Sequence, residues 1–185
     1  SRGLGDVYKR QEYQSPLGLI TIAADETALK GVWFEGQKYY AGSIKCEMIK
    51  NTELPLLNLV QIRLEKYFAG ENPKFNDLPL SLSGGDFRQL VWKFLCEIPY
   101  GQTVTYGLIA KKVAAEMNLK TMSAQAIGNA VGHNPISIII PCHRVVGANG
   151  SLTGYAGGIS RKQKLLEIEG VDINSFNFSN CKSQF

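Results

Sequence analysis

The sequence has no long apolar run: none approaches the roughly 18–20 residues that a membrane-spanning helix requires. It also lacks a basic stretch followed by an apolar core near its start, so no secretory leader is legible. Cysteine is sparse: Cys46, Cys96, Cys142 and Cys181 stand at wide, irregular intervals without a CxxC pair. That spacing excludes a dense disulfide framework and a zinc-ligand pattern, and it fits a reducing cytosol. Histidine is scarcer still, with two in 185 residues. No internal repeat or low-complexity tract is present. What remains is the composition of an ordinary globular protein, 44% hydrophobic and 19% charged. The length suits one or two domains with substantial cores.

Charge of one sign is also in short supply. The formal net charge is +4, and part of it lies in a segment that resembles no folded sequence. Residues 1–11, SRGLGDVYKRQ, have no hydrophobic periodicity and resemble the in-frame translation of a transposase-type sequencing adapter. Glu12 is therefore the expected first residue of biological sequence, and the segment before it is set aside. Without its charges the chain carries 17 basic and 15 acidic residues. These are unevenly spread: net −3 from Glu12 to Asp86 and net +5 from Phe87 to Phe185. The split predicts two domains, 12–84 and 85–172, with anion-binding work in the second and a tail at 173–185.

The first half reads as a small α/β scaffold. Leu19–Ile22 and Leu29–Phe34 are β-rich runs joined by the turn formers Asp25-Glu26-Thr27, which predicts a hairpin. Apolar residues at 56, 57, 60, 64, 67 and 68 follow helical spacing, with Thr52 as N-cap and Gly70 as stop. Leu78, Leu80 and Leu82 alternate as a strand or extended linker would. The second half reads as short helices. Asp86 is placed to cap a helix with apolar positions 87, 90, 91, 94 and 95, ending before Pro99-Tyr100-Gly101. Thr105 is placed to cap a helix from Tyr106 to about Ala114. Thr121 is placed to cap another from Met122 to about Gly132, stopped by Asn134-Pro135. Ser160 to Gln163 has the form of a capping box opening a helix that stops at Gly170.

The chemistry concentrates in Ser137–Val146, read as an apolar strand that delivers Cys142 directly after Pro141, with His143 and Arg144 following. His133 and His143 both lie within ten residues of Cys142. A thiolate is the reactive form of cysteine, and a neighbouring base or positive charge promotes it. Adjacent Cys and His are by themselves equally compatible with a cysteine buried for packing. Side chains of adjacent strand residues point apart, so a Cys142–His143 relay requires a tight turn and a bridging water. Glu169 sits in the last turn of its helix, against the negative end of the dipole, by a few tenths of a kcal/mol to about 1. Such violations are expected at functional sites, although a solvated glutamate satisfies the same pattern.

Asn134-Pro135, Pro141-Cys142-His143-Arg144-Val145, Gly150, Gly154-Tyr155, Gly157, Lys162 and Leu165-Leu166 together resemble the O6-alkylguanine-DNA alkyltransferase family. The resemblance runs from about Pro16 to Gly170 and includes Ser15-Pro16-Leu17-Gly18 and Trp33-Phe34-Glu35-Gly36. It implies a ribonuclease H-like α/β N-terminal domain of a small sheet plus a helix. A mostly α C-terminal domain with a winged-helix-like helix-turn-helix follows. It implies irreversible transfer of an alkyl group from O6 of guanine, in duplex DNA, to Cys142, once per molecule. Transfer from O4-alkylthymine is included in the same expectation. His143 is then the water-linked base, Glu169 orients it, and Asn134 fixes the active-site loop. No cofactor, no metal, no membrane, a monomeric state and a prokaryotic cytosolic location are expected.

In the same family the helices Tyr106–Ala114 and Met122–Gly132 form the helix-turn-helix, with the second laid in the minor groove rather than the usual major groove. Ser123, Ala124, Ala126, Gly128 and Ala130 are small enough for close approach to a backbone. Tyr106 matches the tyrosine that crowds the target phosphate and donates to the base. Arg144, Tyr155 and Gly157 are assigned to the substrate side, with Tyr155 and the glycines closing over an extruded base. Gln125 stands where the family often has arginine, and lacks its charge and planar fork. Ser137 stands where some members have proline. Two rivals are a helix-turn-helix protein that binds damaged DNA without repairing it, against which Cys142 counts, and a Cys-His hydrolase, for which no oxyanion hole is legible. DNA binding is expected to be modest and salt-sensitive.

Overall fold

The computed structural model describes residues 7–42, 44, 46–51 and 53–176. These form two compact units: the chain up to Ser83 together with Pro135–Ser137, and Gly84–Asn134 together with the chain from Ile138 onward. In the first unit, β1 (Tyr8–Ser15), β2 (Gly18–Ala24), β3 (Leu29–Phe34) and β4 (Met48–Lys50) lie in the order β3-β2-β1-β4. The pairs β1–β2 and β2–β3 are antiparallel, and β1–β4 is parallel. The expected β2–β3 hairpin forms because Asp25 Oδ1 accepts the Thr27 and Ala28 amides, each at 2.8 Å. A short acceptor side chain thereby replaces backbone partners inside the turn. Ile20, Ile22, Val32 and Phe34 are fully buried, as are Leu57, Val60, Leu64 and Tyr67 of α1 (Pro55–Phe68).

Several boundaries differ from expectation. Residues 8–11, assigned to the adapter, lie inside β1, where Lys9, Arg10 and Gln11 pair with Ala24, Ala23 and Ile22. Strand pairing uses the backbone, which the missing side-chain periodicity does not report; residues 1–6 lie outside the described residues. Thr52, expected to cap α1, also lies outside them. Leu54 occupies the cap position and Pro55 the first turn, where proline's missing N–H goes unnoticed. Leu80 makes a single parallel bridge to Leu29 rather than a full strand, and Ile136 makes another to Val32.

In the second unit, α2 (Asp86–Cys96), α3 (Tyr106–Glu116) and α4 (Ala124–Gly132) pack on one another, with Val91, Trp92, Leu95, Val113, Ile127 and Val131 in their core. Trp92 Nε1 donates to the Ala130 carbonyl at 2.8 Å. The two-residue strands β5 (Val104–Thr105) and β6 (Val145–Val146) pair in parallel. Thr105 caps α3 as expected, accepting the Leu108 amide at 3.1 Å. Three other caps move. Gly85 precedes α2, leaving Asp86 in its first turn. Ser123 rather than Thr121 caps α4, accepting the Ala126 amide. Gly158, at φ 92°, precedes α5 (Ile159–Ile168), so Ser160 lies within the helix. A glycine in a conformation closed to other residues decides that start, where a hydroxyl pattern does not. Past residue 172, Ile173 and Phe176 pack on the cluster of Val146, Leu152 and Leu166, so the core extends into the expected tail.

Candidate active site

Ser137–Ile140 is not a strand. The β-branched run is bent into turns, with Ile138 at φ 72° and 1% exposed. Asn134 closes the loop by donating from Nδ2 to the Ile140 carbonyl at 2.8 Å. Pro141 follows at φ −82°, ψ 63°, an inverse γ-turn in which the Cys142 amide reaches back to the Ile140 carbonyl at 2.8 Å. Cys142–Arg144 then forms a 3-10 turn. This supplies the tight turn that a Cys–His relay requires.

Cys142 is 4% exposed, and its Sγ receives the Asn134 amide at 3.1 Å. Burial pushes the thiol's pKa up. The Asn134 hydrogen bond, the Lys162 charge and the amides of Cys142 and His143 pull the other way, each favouring the thiolate. His143 is fully buried, and its Nε2 lies 2.7 Å from Glu169 Oε1. Burial lowers the imidazole's pKa, against the opposing pull of Glu169. A neutral ring facing a carboxylate through Nε2 carries its proton there, which leaves Nδ1 as the acceptor.

Glu169 is held from several sides. Its carboxylate accepts His143 Nε2, Arg144 Nε at 2.9 Å, Arg144 Nη2 at 2.9 Å and the Gly101 amide at 3.0 Å. Burial raises its pKa, but the hydrogen bonds and charges of His143 and Arg144 outweigh burial and hold it at about 2. Its position is set by a Schellman ending of α5: Glu169 is the C-cap and Gly170 follows at φ 79°. The Gly170 amide donates to Glu167 at 2.9 Å and the Val171 amide to Leu166 at 3.0 Å.

Arg144 requires a correction. The sequence assigns it to DNA, yet it is 8% exposed, donates to Glu169, and gives Nη1 to the Ile98 carbonyl at 2.7 Å. Its guanidinium also lies over the Tyr100 ring. A basic residue beside a reactive cysteine reads as anion-binding because its carboxylate partner lies 25 positions away. Ile98 and Gly101 contribute a carbonyl and an amide to this cluster, for which the Pro99-Tyr100-Gly101 turn carries no sequence signal beyond a helix end.

Lys162 is fully buried, with Nζ donating to the Val145 and Thr153 carbonyls and lying 5.8 Å from the Tyr106 ring centre. Tyr106 donates its hydroxyl to the Thr153 carbonyl at 3.0 Å, with that of Gly154 at 3.3 Å. Burial, and then the charge of Cys142, raise its pKa. Tyr155 is buried, and a Cβ on Gly157 would stand 2.7 Å from its ring, so that glycine makes room for the tyrosine. The structure thus brings Cys142, His143, Glu169, Asn134, Arg144, Lys162 and Tyr106 into one neighbourhood. Ser123 and Gln125 are exposed, Ala126 and Gly128 half-buried, and a Cβ on Gly128 would meet nothing. Among the described residues no group of three or more His, Cys, Asp or Glu side chains is placed to hold a metal ion.

Residues 9–82 match the family model of the 6-O-methylguanine DNA methyltransferase ribonuclease-like domain, and residues 86–171 that of its DNA-binding domain. The chain is 37% identical to the methylated-DNA–protein-cysteine methyltransferase of Haemophilus influenzae, over 94% of this chain and 92% of that protein. It is 44% identical to that of Methanosarcina acetivorans, over 85% and 96%. Among solved structures it resembles Mycobacterium tuberculosis OGT in complex with DNA, with a TM-score of 0.75 and 40% identity over 91% of this chain and 97% of that one. The small-sheet unit is accordingly the ribonuclease-like domain, and the helical unit is the DNA-binding domain. The chain belongs to the methylated-DNA–protein-cysteine methyltransferase family.

Proposed function

We propose that this protein repairs DNA by taking the alkyl group from O6 of guanine in a duplex onto Sγ of its own Cys142. The observation that carries the reading is a buried thiol, hydrogen-bonded by Asn134, next to an imidazole held by a buried carboxylate. In the step, a bond forms between Sγ and the alkyl carbon while the carbon–O6 bond breaks. The thiol proton passes to His143 Nδ1 through a water molecule, and the departing guanine takes a proton from Tyr106. The imidazolium's proton then restores the Tyr106 hydroxyl, so the thiol proton ends on guanine and both side chains finish neutral. Glu169 stays ionised and stabilises the imidazolium. The product is a thioether, and no group in the site reverses it, so each molecule turns over once.

The 4% exposure of Cys142 means that a guanine inside a base stack cannot reach it, and extrusion of the nucleotide is part of the proposal. In this reading α4 meets the minor groove through Ser123, Gln125, Ala126 and Gly128, and Tyr155 and Gly157 line the base pocket. Gly128 supports that placement. A glycine inside a helix costs about 1 kcal/mol relative to alanine, and nothing in the protein occupies the space its side chain would take. The monomeric, cytosolic form belongs to the same reading; among the described residues no helix is long and apolar enough to cross a membrane. Mixing the protein with an O6-methylguanine duplex and weighing it intact tests the proposal. One added methyl on Cys142, absent from Cys142→Ser, is expected, and a wild-type protein left unmodified by excess substrate overturns it.

A further inference from the structure

Arg144 spreads its fork over both oxygens of the Glu169 carboxylate: Nη2 donates to Oε1 and Nε to Oε2, both at 2.9 Å. Its remaining arm is anchored on the Ile98 carbonyl at 2.7 Å, and its face lies over Tyr100. The guanidinium is therefore fixed by the end of α2 on one side and fixes the end of α5 on the other. Oε1 is also the oxygen that His143 Nε2 contacts. We infer that Arg144 is a positioning residue of the alkyl transfer: it aims the Glu169 carboxylate at His143 and sets the acid edge of the reaction's pH range.

The pH range follows from the protons the cluster holds and rests on the proposed transfer. The reactive cluster holds one mobile proton shared between Cys142 and His143, whichever of the two carries it. Acid inactivates the cluster by adding a second. The groups facing it are Glu169 and Lys162 from α5, Tyr106 from α3, Tyr100 and Cys96 from α2 and the turn after it, and Arg144 itself. Tyr106 and Tyr100 are held protonated by burial first, and Cys96 lies exposed at the end of α2. Arg144 is a permanent cation bonded to the carboxylate that supports the imidazole. It opposes the second proton wherever that proton settles. Removing the cation raises the cluster's proton affinity, and a nearby unit charge moves such a titration by roughly 1–3 pH units.

The test measures single-turnover methyl transfer from an O6-methylguanine duplex between pH 4 and 9, with duplex affinity and thermal unfolding alongside. Arg144→Met is expected to move the acid inflection upward by about one unit or more and to slow transfer at pH 7 by roughly 10- to 100-fold. Its duplex affinity stays within about threefold of wild type. Arg144→Lys keeps the charge but loses the fork, so its inflection stays near wild type while its rate falls. If Arg144→Met does not fold, the lysine variant decides: an inflection displaced upward as far as a neutral residue predicts, or an unaltered rate, overturns the inference. An Arg144→Met protein that keeps the wild-type inflection, or loses duplex affinity at unchanged rate, overturns it as well. Wild-type protein that accepts no methyl at any pH refutes the transfer reading itself, and the inference falls with it.

Discussion

Glu169→Gln isolates the chemistry of the buried carboxylate with almost no change in shape. Oε1 receives His143 Nε2 and Arg144 Nη2; Oε2 receives Arg144 Nε and the Gly101 amide. In glutamine one of these oxygens becomes an NH2. Whichever it is, two donors lose their acceptor and face another donor. The Arg144 guanidinium also loses its counter-charge inside the protein. Breaking a buried pair by removing one partner costs about 3–5 kcal/mol, a large fraction of the roughly 5–15 kcal/mol that holds a domain together. At about 4–8 °C per kcal/mol for a domain of this size, Tm falls on the order of 10–40 °C. Methyl transfer, measured by quenching single turnovers and weighing the protein, slows by about 10²–10⁴ as the imidazole loses its support. The combined variant Glu169→Gln with Arg144→Met removes both charges. It is expected to recover most of the stability and none of the rate. A single variant as stable as wild type within about 1 kcal/mol, or a combined variant whose losses merely add, would refute this account of the cluster.

Acid should weaken the fold with a definite sign. The pKa of Glu169 is held at about 2 in the folded protein against an ordinary 4.5, so the unfolded chain binds more protons between those values. Its contribution is complete above about pH 4.5 and declines as pH falls toward 2. His143 is also depressed below 6.5 and adds a loss of the same sign starting below that pH; urea titrations of wild type and Glu169→Gln separate the two. Gly170→Ala forces a side chain into φ 79°, at roughly 1–2 kcal/mol, and moves Glu169 with it, so both Tm and transfer rate fall; unchanged transfer would show that the helix ending does not place the carboxylate. Gly128→Ala fills open space and gains about 0.5–1 kcal/mol of helix stability while weakening duplex affinity in a binding titration. Equal affinity removes α4 from the DNA interface.

Local signals were legible where one residue decides a conformation. The Asp25 turn, the Thr105 cap and the glycine stops at Gly70 and Gly170 were all readable because each acts within four residues of itself. Cys142 and His143 by their adjacency, and Glu169 by its awkward place at a helix end, are legible as candidates. The same patterns fit a packed cysteine and a solvated glutamate, and only the family resemblance assigns them roles. What was not legible depends on partners distant in sequence. The run Ser137–Ile140 has the composition of a strand, and Asn134 bends it by bonding Ile140. Arg144 is assigned to the substrate side by the resemblance, whereas its carboxylate partner lies 25 residues on. The first strand was hidden for a different reason: its pairing lies in the backbone, and Tyr8–Gln11 carry no alternation to announce it.

The order in which the cluster is strung along the chain has a bearing on synthesis. Cys142 precedes Glu169 by 27 positions, and the end of α5 is seated by Val171, Ile173 and Phe176 against Val146, Leu152 and Leu166. A ribosome therefore releases the acceptor cysteine well before the carboxylate that supports its histidine. Chains cut short anywhere before Glu169 carry a thiol with no relay behind it. The acceptor is thus assembled last at the carboxylate end, and a chain missing that end holds its histidine without the group that orients it.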